Sequence, residues 1–456
     1  MGMTRKFKTA NYEETLNLSV TLREALPPDH LARFVVDIIN QLDLSAVYAR
    51  YAPTGGEAFA PEILLGLLFY GYATGVFSSR KIERATQESL PFRFIAGNLH
   101  PDHDTLANFR KTFLKEIQEL FVQILLLAQA VGVLKPGNIS LDGSKIHADA
   151  SKSKAVSYKR LGELEAYLRQ EVQSLLTLGE QVDQGERALP EGLVLQNELA
   201  RRAGRLAQLA QAKAVLEARA AERDALEQAE YEAKVREREE TARRSGRKPR
   251  GRAPKPPQTG PRDNDQYNFT DPESRIMKNS TNAGFDQHYN AQAAVDHDSL
   301  LIVASALSNH PNDKAEAEPT LAALPPALGQ PEGATLDNGF WSEPNLQACE
   351  RRGIEPYIAT GREPHQQSWE TFFAEQPTPP PEDASPKVKM AYKLKTDIGQ
   401  AIYRLRKCTV EPVIGIIKEV LGFRQFSLRG LVAVVGEWGL VCLAFNLKRL
   451  HALWPA

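Results

Sequence analysis

The chain has 456 residues, of which 42% are hydrophobic and 25% charged, and its formal net charge is −1. This composition is typical of a soluble globular protein with two or three domains, and the small net charge excludes a global attraction to nucleic acid or membrane. The three cysteines form no CxxC pair, which argues against a zinc site or a disulfide framework and favours a reducing cytoplasm. The polar, basic start predicts no secretory signal.

The first part of the chain predicts an arm followed by helices. Residues 1–28 are polar and irregular, which predicts a flexible arm. Residues 29–135 carry apolar side chains at helical spacing and predict an all-α DNA-binding domain, with Arg110 and Lys111 among the cations that would contact phosphates. A small bundle with solvated cations remains the alternative at this point.

Residues 151–242 predict an insertion made of two long helices, roughly 156–180 and 194–242, paired as an antiparallel hairpin. The seam is expected at the leucines of both helices: Leu161, Leu164, Leu168, Leu175, Leu195, Leu199, Leu206, Leu209 and Leu216. Three cations interrupt the repeat: Arg202, Lys213 and Arg223. The hairpin is therefore interpreted as a spacer or dimer arm, and not as an extended coiled coil.

A basic linker rich in Pro and Gly follows at residues 243–264. Eight of its residues are basic, none of residues 243–262 is acidic, and its composition does not support a packed core. A solvated linker is the simplest interpretation, but the local positive charge favours a polyanionic partner. The candidate DNA contacts in this linker are Arg247, Lys248, Arg250 and Arg252.

Residues 136–150 and 265–456 predict a catalytic domain built on a mixed sheet with helices on its faces. The segment Ile139–His147 is expected to be a short buried strand, and Tyr289–Val295 and Leu300–Leu307 to form a hairpin. From residue 387 to the end, the pattern predicts helix. The fold class is therefore mixed α+β, with an all-α N-terminal domain and a helical hairpin inserted into the sheet domain.

Three acidic residues are candidates for a metal site. Asp142 is expected at a strand end before Gly143, Asp337 follows another strand, and Glu411 lies on a helix. An Asp-Gly pair after a strand is by itself more often a turn, but three converging carboxylates without His or Cys suit Mg²⁺ or Mn²⁺. Two such ions about 4 Å apart can activate an attacking oxygen and stabilise the leaving oxygen of a phosphodiester. The pair Asn312–Asp313 is interpreted as a helix cap.

The helix around Glu411 orders further charges. Arg404, Lys407, Glu411 and Lys418 are spaced so that they share one helical face, where cations could neutralise neighbouring phosphates. Pro412 leaves an alternative open, because a helix that began at Pro412 would leave the two preceding cations on a turn.

These motifs resemble those of a DDE-type bacterial insertion-sequence transposase of the YREK-motif group. The residues that carry the resemblance are Leu141–Ile146, Tyr289–Gln292, Asn312–Asp313, Leu336–Phe340, Val410–Lys418, Pro101–Arg110 and Glu437–Asn446. The resemblance implies a ribonuclease H-like core in which Asp142, Asp337 and Glu411 hold the metal ions. The family signature is Tyr, two residues, Arg, three residues, Glu, six residues, Lys. In this chain the four positions are occupied by Arg404, Lys407, Glu411 and Lys418, and a Tyr and an Arg, Tyr403 and Arg406, each lie one residue before the expected position. The resemblance implies that all of these residues except Glu411 contact DNA.

The sequence thus predicts a DNA transposase that binds terminal inverted repeats as a homodimer, cleaves phosphodiester bonds and transfers the 3′-hydroxyl to target DNA. It would act in the bacterial cytoplasm, in association with the nucleoid. A metal-dependent nuclease with the same core, a non-catalytic domesticated DNA-binding protein and a coiled-coil scaffold are the alternatives. The strand-rich third region argues against the scaffold, and the three acidic residues argue against the non-catalytic protein.

Overall fold

The computed structural model describes residues 20–51, 58–135, 137–245, 252–279, 284–361 and 378–454. Most of the expected N-terminal arm lies outside the described residues, and so do three of the predicted DNA contacts in the linker: Arg247, Lys248 and Arg250. Arg252 is described and exposed.

The described part of the N-terminal region contains seven helices: α1 (Leu31–Ile39), α2 (Ser45–Tyr48), α3 (Pro61–Ala73), α4 (Ser79–Glu88), α5 (Leu90–Ile95), α6 (His103–Thr112) and α7 (Leu114–Ala130). Helix α3 begins with Pro61, whose fixed φ and missing N–H suit the first helical turn. It is apolar nearly all round, and almost all of its residues are buried. A helix of this kind belongs in the middle of a core.

Two long helices, α8 (Tyr158–Asp183) and α9 (Leu195–Ser245), follow in the described chain and pack against each other. A short antiparallel pair, β2 (Ala155–Ser157) and β3 (Gln266–Asn268), lies at their base. The two helices have a small core of their own, centred on Leu161, Leu209 and Leu216. Two of the cations that interrupt the leucine repeat form ion pairs between the helices, since Arg202 lies 3.0 Å from Glu171 and Lys213 lies 3.5 Å from Glu165. Arg223 pairs instead with Asp265 at 2.9 Å.

Within the described residues, the main sheet has six strands: β1 (Asn138–His147), β4 (Arg275–Lys278), β5 (Phe285–Asp296), β6 (Ile302–Ser308), β7 (Gly333–Leu336) and β8 (Glu355–Ile358). The long strand β5 is antiparallel to β1, β4 and β6, which confirms the predicted hairpin. Strand β1 is parallel to β7, and β7 is parallel to β8. Two short helices, α10 (Ala317–Ala322) and α11 (Glu343–Arg351), precede and follow β7. The prediction of a mixed α+β fold with a helical N-terminal region is confirmed.

The C-terminal region contains α12 (Pro386–Lys393), α13 (Asp397–Gly415), a π-helical turn (Ile416–Val420) and α14 (Leu431–Leu453). Helix α13 runs through Pro412, so it does not begin there. The prediction of continuous helix is wrong at residues 421–430. Gly422 has a φ of 78°, which favours glycine and ends the helical path. The chain then runs beside β1, where Phe426 N donates to His147 O at 2.8 Å.

Helix α14 is long and apolar enough to cross a membrane by length and composition, but 72% of its apolar window is buried inside the protein. It packs on α3, α7 and β6. The Asn446 side chain satisfies both backbone groups of Ile302, accepting from its N at 2.8 Å and donating to its O at 2.7 Å. Helix α14 is therefore a core helix. One hydrophobic core runs from the N-terminal helices through α14 to the sheet, so the helices at 29–135 are not packed as a separate unit.

Candidate active site

The register of the sheet places Asp142 beside Asp337. Strand β1 pairs with β7 in parallel, with Leu141 opposite Leu336, so the next residue on each strand is one of the two acids. The prediction that Asp142 lies at a strand end is wrong, because β1 continues along β5 with Asp142 opposite Ala293. Only its pairing with β7 stops before Asp142. Asp337 ends the parallel ladder, and its Oδ1 accepts from Gly339 N at 2.7 Å.

Helix α13 packs on the sheet and contains Glu411. An arginine of the same helix, Arg406, connects Glu411 to Asp142. Arg406 Nη1 lies 3.2 Å from Asp142 Oδ2, and Arg406 Nη2 lies 2.8 Å from Glu411 Oε1. The Arg406 side chain is only 11% exposed, whereas that of Glu411 is 46% exposed. The guanidinium therefore links the first and third predicted metal ligands.

This contact corrects the prediction for Arg406 as a DNA-contacting residue. The face of α13 that meets the sheet contains Arg406, whereas Arg404 and Lys407 are exposed. Arg404 donates to Gln400 on its own helix at 3.2 Å. A guanidinium buried between two carboxylates does not contact phosphate while it makes these bonds.

Burial and neighbouring acids shift the protonation of Asp142. The pKa of Asp142 is raised to about 7, mainly by burial and also by the neighbouring Asp337 and Asp313, while Arg406 opposes the rise. For Arg406, burial lowers the pKa, but attraction to Asp142 and Glu411 outweighs this and leaves the pKa above its ordinary value. The site thus holds an excess of negative charge in a poorly hydrated place, which favours a bound cation.

Lys418 lies close to this site. It belongs to the π-helical turn after α13, and its Nζ donates to the Oγ of Ser144 at 3.1 Å. Ser144 is two residues beyond Asp142 on β1, so both side chains leave the same face of the strand. Burial lowers the pKa of Lys418. Lys418 Nζ thus lies beside the strand that carries Asp142, and its position is set by the π-helical turn and not by a regular helix.

Asp313 is a further acidic residue at this site. The prediction that it caps a helix is wrong. The residue before α10 that takes the cap position is Glu316. The Asp313 carboxylate accepts instead from two buried amides of β5, Asn290 Nδ2 at 2.8 Å and Gln292 Nε2 at 2.7 Å. The sequence signals were an Asn-Asp pair between a strand and a helix, which is common in turns, and the presence of this pair among the motifs that carry the family resemblance.

Oxygen ligands from these carboxylates suit Mg²⁺ or Mn²⁺ better than zinc. With the side chains as they stand, however, no three His, Cys, Asp or Glu residues of the described ranges are grouped so that they could hold one ion. Arg406 accounts for part of this, because its guanidinium lies between Asp142 and Glu411. The chemistry of the donor set fits a hard cation, provided that Arg406 moves away from at least one carboxylate.

The predicted contact of Arg110 with DNA is wrong for this structure. The Arg110 side chain is only 8% exposed, donates to Tyr72 Oη at 2.6 Å and lies 3.8 Å from Glu437. Glu437 is fully buried and also accepts from the backbone N of Ser427 at 2.9 Å. Arg110 therefore ties the N-terminal helices to α14. Its neighbour Lys111 is exposed.

Comparison with known protein families supports the class of protein that this fold and site indicate. Residues 20–112 match the model of a transposase domain (DUF772), and residues 379–451 match the model of a transposase DDE domain. No curated protein and no solved structure matches the chain. The two family matches support an insertion-sequence DDE transposase, an enzyme that acts on DNA. The second match includes Glu411 and Lys418, while Asp142 and Asp337 lie outside both matched ranges.

Proposed function

We propose that the protein is a DDE transposase of the YREK-motif group, and that its mixed sheet is a ribonuclease H-like catalytic core. Asp142, Asp337 and Glu411 are the proposed catalytic acids. The observation that carries the proposal is the meeting of three distant segments: adjacent positions on β1 and β7 place Asp142 beside Asp337, and Arg406 links Asp142 to Glu411.

The three acids would hold Mg²⁺ or Mn²⁺, in our proposal two ions. When bound, the cations supply activation of the attacking oxygen and stabilisation of the leaving oxygen. The chain's own part is to position the carboxylates, through the β1–β7 ladder for two of them and through α13 for the third. Arg406 holds Asp142 and Glu411 in place and must withdraw when they take a cation.

DNA would approach the exposed side of α13. Its proposed contacts there are Tyr403, Arg404, Lys407 and Lys418. Further proposed contacts with the DNA backbone are Lys111 and four linker residues: Arg247, Lys248, Arg250 and Arg252. Positive side chains on both sides of an acidic centre would neutralise phosphates next to the scissile one.

The proposed reaction binds the terminal inverted repeats of the element, frees a 3′-hydroxyl by hydrolysis and directs it at a target strand. Both steps are in-line displacements that depend on positioning and on charge neutralisation. We propose that the enzyme works as a homodimer, in the cytoplasm and in association with the nucleoid. The paired helices α8 and α9 project from the sheet domain with a small core of their own and offer a surface for such an arrangement.

The test is incubation with element-end DNA and Mg²⁺, comparing wild type with Glu411→Gln. Loss of a ligand that stabilises transition-state charge should lower cleavage by about 100-fold or more. Glu419→Gln is the matched control, because Glu419 lies just beyond the helix, is 62% exposed and pairs with Arg424. Equal cleavage by wild type and the Glu411 variant would refute the assignment.

Two other functions are separated by the products of the same reaction. Cleaved ends without joined strands would indicate a metal-dependent nuclease with this core. Binding of the ends without cleavage by the wild type would indicate a non-catalytic DNA-binding protein. The intact acids at positions 142, 337 and 411 favour the transposase over the non-catalytic protein.

A further inference from the structure

The carboxylate of Asp313 accepts hydrogen bonds from two side chains of strand β5. Asn290 Nδ2 and Gln292 Nε2 both donate to Asp313 Oδ1, at 2.8 and 2.7 Å. Asn290 is 2% exposed and Gln292 is fully buried, so these donors are fixed in the sheet. Since both bonds end on Oδ1, the orientation of the carboxylate is set and Oδ2 is turned elsewhere.

Two glycines show where the carboxylate lies relative to the proposed catalytic acids. A Cβ at Gly143, the residue after Asp142, would come within 2.6 Å of Asp313 Oδ1. A Cβ at Gly339 would lie 3.4 Å from Asp313 Oδ2 and 3.0 Å from Asp337 Oδ1. Asp313 Oδ2 and Asp337 Oδ1 therefore approach the same point, and side chains larger than glycine would close the space between them.

An unpartnered buried oxygen lies in the same group of side chains. Gln292 donates through Nε2 to Asp313, and its Oε1 is buried without a hydrogen-bond partner among the described residues. Turning the amide over would place this oxygen against the Asp313 carboxylate, so Asp313 fixes the orientation. Amide carbonyls are ligands for hard cations, either directly or through a bound water, and a cation would satisfy this oxygen.

We propose that Asp313 is a fourth carboxylate of the cation site and that Gln292 contributes its Oε1 as a further oxygen ligand, to the cation or to its water. This inference rests on the proposed function, because it concerns the same divalent cations. In this arrangement Asn290 is a positioning residue that holds Asp313. Gly143 and Gly339 keep the space around the carboxylate open.

The test measures Mn²⁺ binding to the full-length protein without DNA, by electron paramagnetic resonance titration. We expect Asp313→Asn to weaken Mn²⁺ binding by about 10-fold or more and Gln292→Leu by a smaller factor, since each removes one oxygen ligand. Asp298→Asn is the control, because Asp298 is exposed in the turn between β5 and β6. Thermal unfolding of each variant verifies that it is folded.

A second measurement uses the wild-type protein and therefore does not depend on the folding of a variant. Fe²⁺ bound in place of Mn²⁺ reduces added hydrogen peroxide to hydroxide and a hydroxyl radical that cuts nearby backbone, and added ascorbate returns the resulting Fe³⁺ to Fe²⁺. Cuts near residue 313, in addition to those near Asp142, Asp337 and Glu411, support the inference, and cuts confined to the neighbourhoods of Asp142, Asp337 and Glu411 overturn it.

The titrations also distinguish failure of the inference from failure of the proposed function. If Asp142→Asn weakens Mn²⁺ binding while Asp313→Asn leaves it unchanged, Asp313 is not a ligand and the proposed function stands. If the wild type takes up no Mn²⁺ at millimolar concentration, the metal-dependent function itself is refuted, and the inference with it.

Discussion

Replacing Asp142 with asparagine should change how the stability of the protein depends on pH. In the folded protein, burial and the neighbouring acids raise the pKa of this carboxyl from 3.8 to about 7. In the unfolded chain the group is hydrated and has its ordinary pKa. The folded state therefore binds this proton more tightly than the unfolded state does.

The sign follows from proton linkage. Wherever the folded state binds more protons than the unfolded state, the free energy of unfolding falls as pH rises. The contribution of Asp142 is fully present below about pH 4 and is lost as pH rises through about 7. One pKa unit corresponds to about 1.4 kcal/mol, so ionising this side chain should destabilise the wild type by about 4 kcal/mol by about pH 8.

The assay is urea unfolding of wild type and Asp142→Asn in EDTA, from about pH 4 to pH 8. The stability of the variant relative to wild type should increase by about 4 kcal/mol over this range. Ser144→Ala, which changes a neutral side chain on the same strand, is the control, and its difference from wild type should stay constant. A pH-independent difference for Asp142→Asn would refute the reasoning about its pKa. Added Mg²⁺ should reduce the pH dependence of the wild type, because a bound cation favours the ionised carboxylate.

Three further substitutions test the packing and the charges around the site. Gly143→Ala should destabilise the protein by about 1–3 kcal/mol in urea unfolding, because the new Cβ would come within 2.3 Å of Gln292 Nε2, and an unchanged midpoint would contradict this packing. Glu437→Gln should cost about 3 kcal/mol, because it leaves the buried Arg110 without its counter-charge, and a loss below 1 kcal/mol would show that the pair is not coupled. Lys418→Gln should reduce the slope of log affinity against log salt for end DNA by about 0.9, as expected for one lost phosphate contact, and an unchanged slope would exclude that contact.

Local patterns in the sequence were sufficient to predict many of the elements. The alternation of apolar residues predicted the hairpin of β5 and β6. Such features depend on residues a few positions apart, which the sequence displays directly. The helical interpretation of residues 421–430 was wrong, because a glycine with positive φ and pairing with β1 override the apolar pattern there.

The sequence did not show which of the cations on α13 faces the sheet and which are exposed. Helical periodicity grouped Arg404 with Lys407, but it does not tell which face of the helix packs on the sheet. The structure turns Arg406 inward, onto Asp142 and Glu411. The same applies to Arg110, since the sequence does not distinguish a solvated cation from one buried beside Tyr72 and Glu437.

The sequence by itself determined the candidate acids, the mixed fold and the class of chemistry, because strand and helix periodicity and the chemistry of carboxylates are local properties. The tertiary structure alone decided which side chains share the site. The β1–β7 register places Asp142 beside Asp337, the packing of α13 inserts Arg406, and two amides of β5 hold Asp313. These relations join segments far apart in the chain, and only the packed sheet and helices bring them within bonding distance.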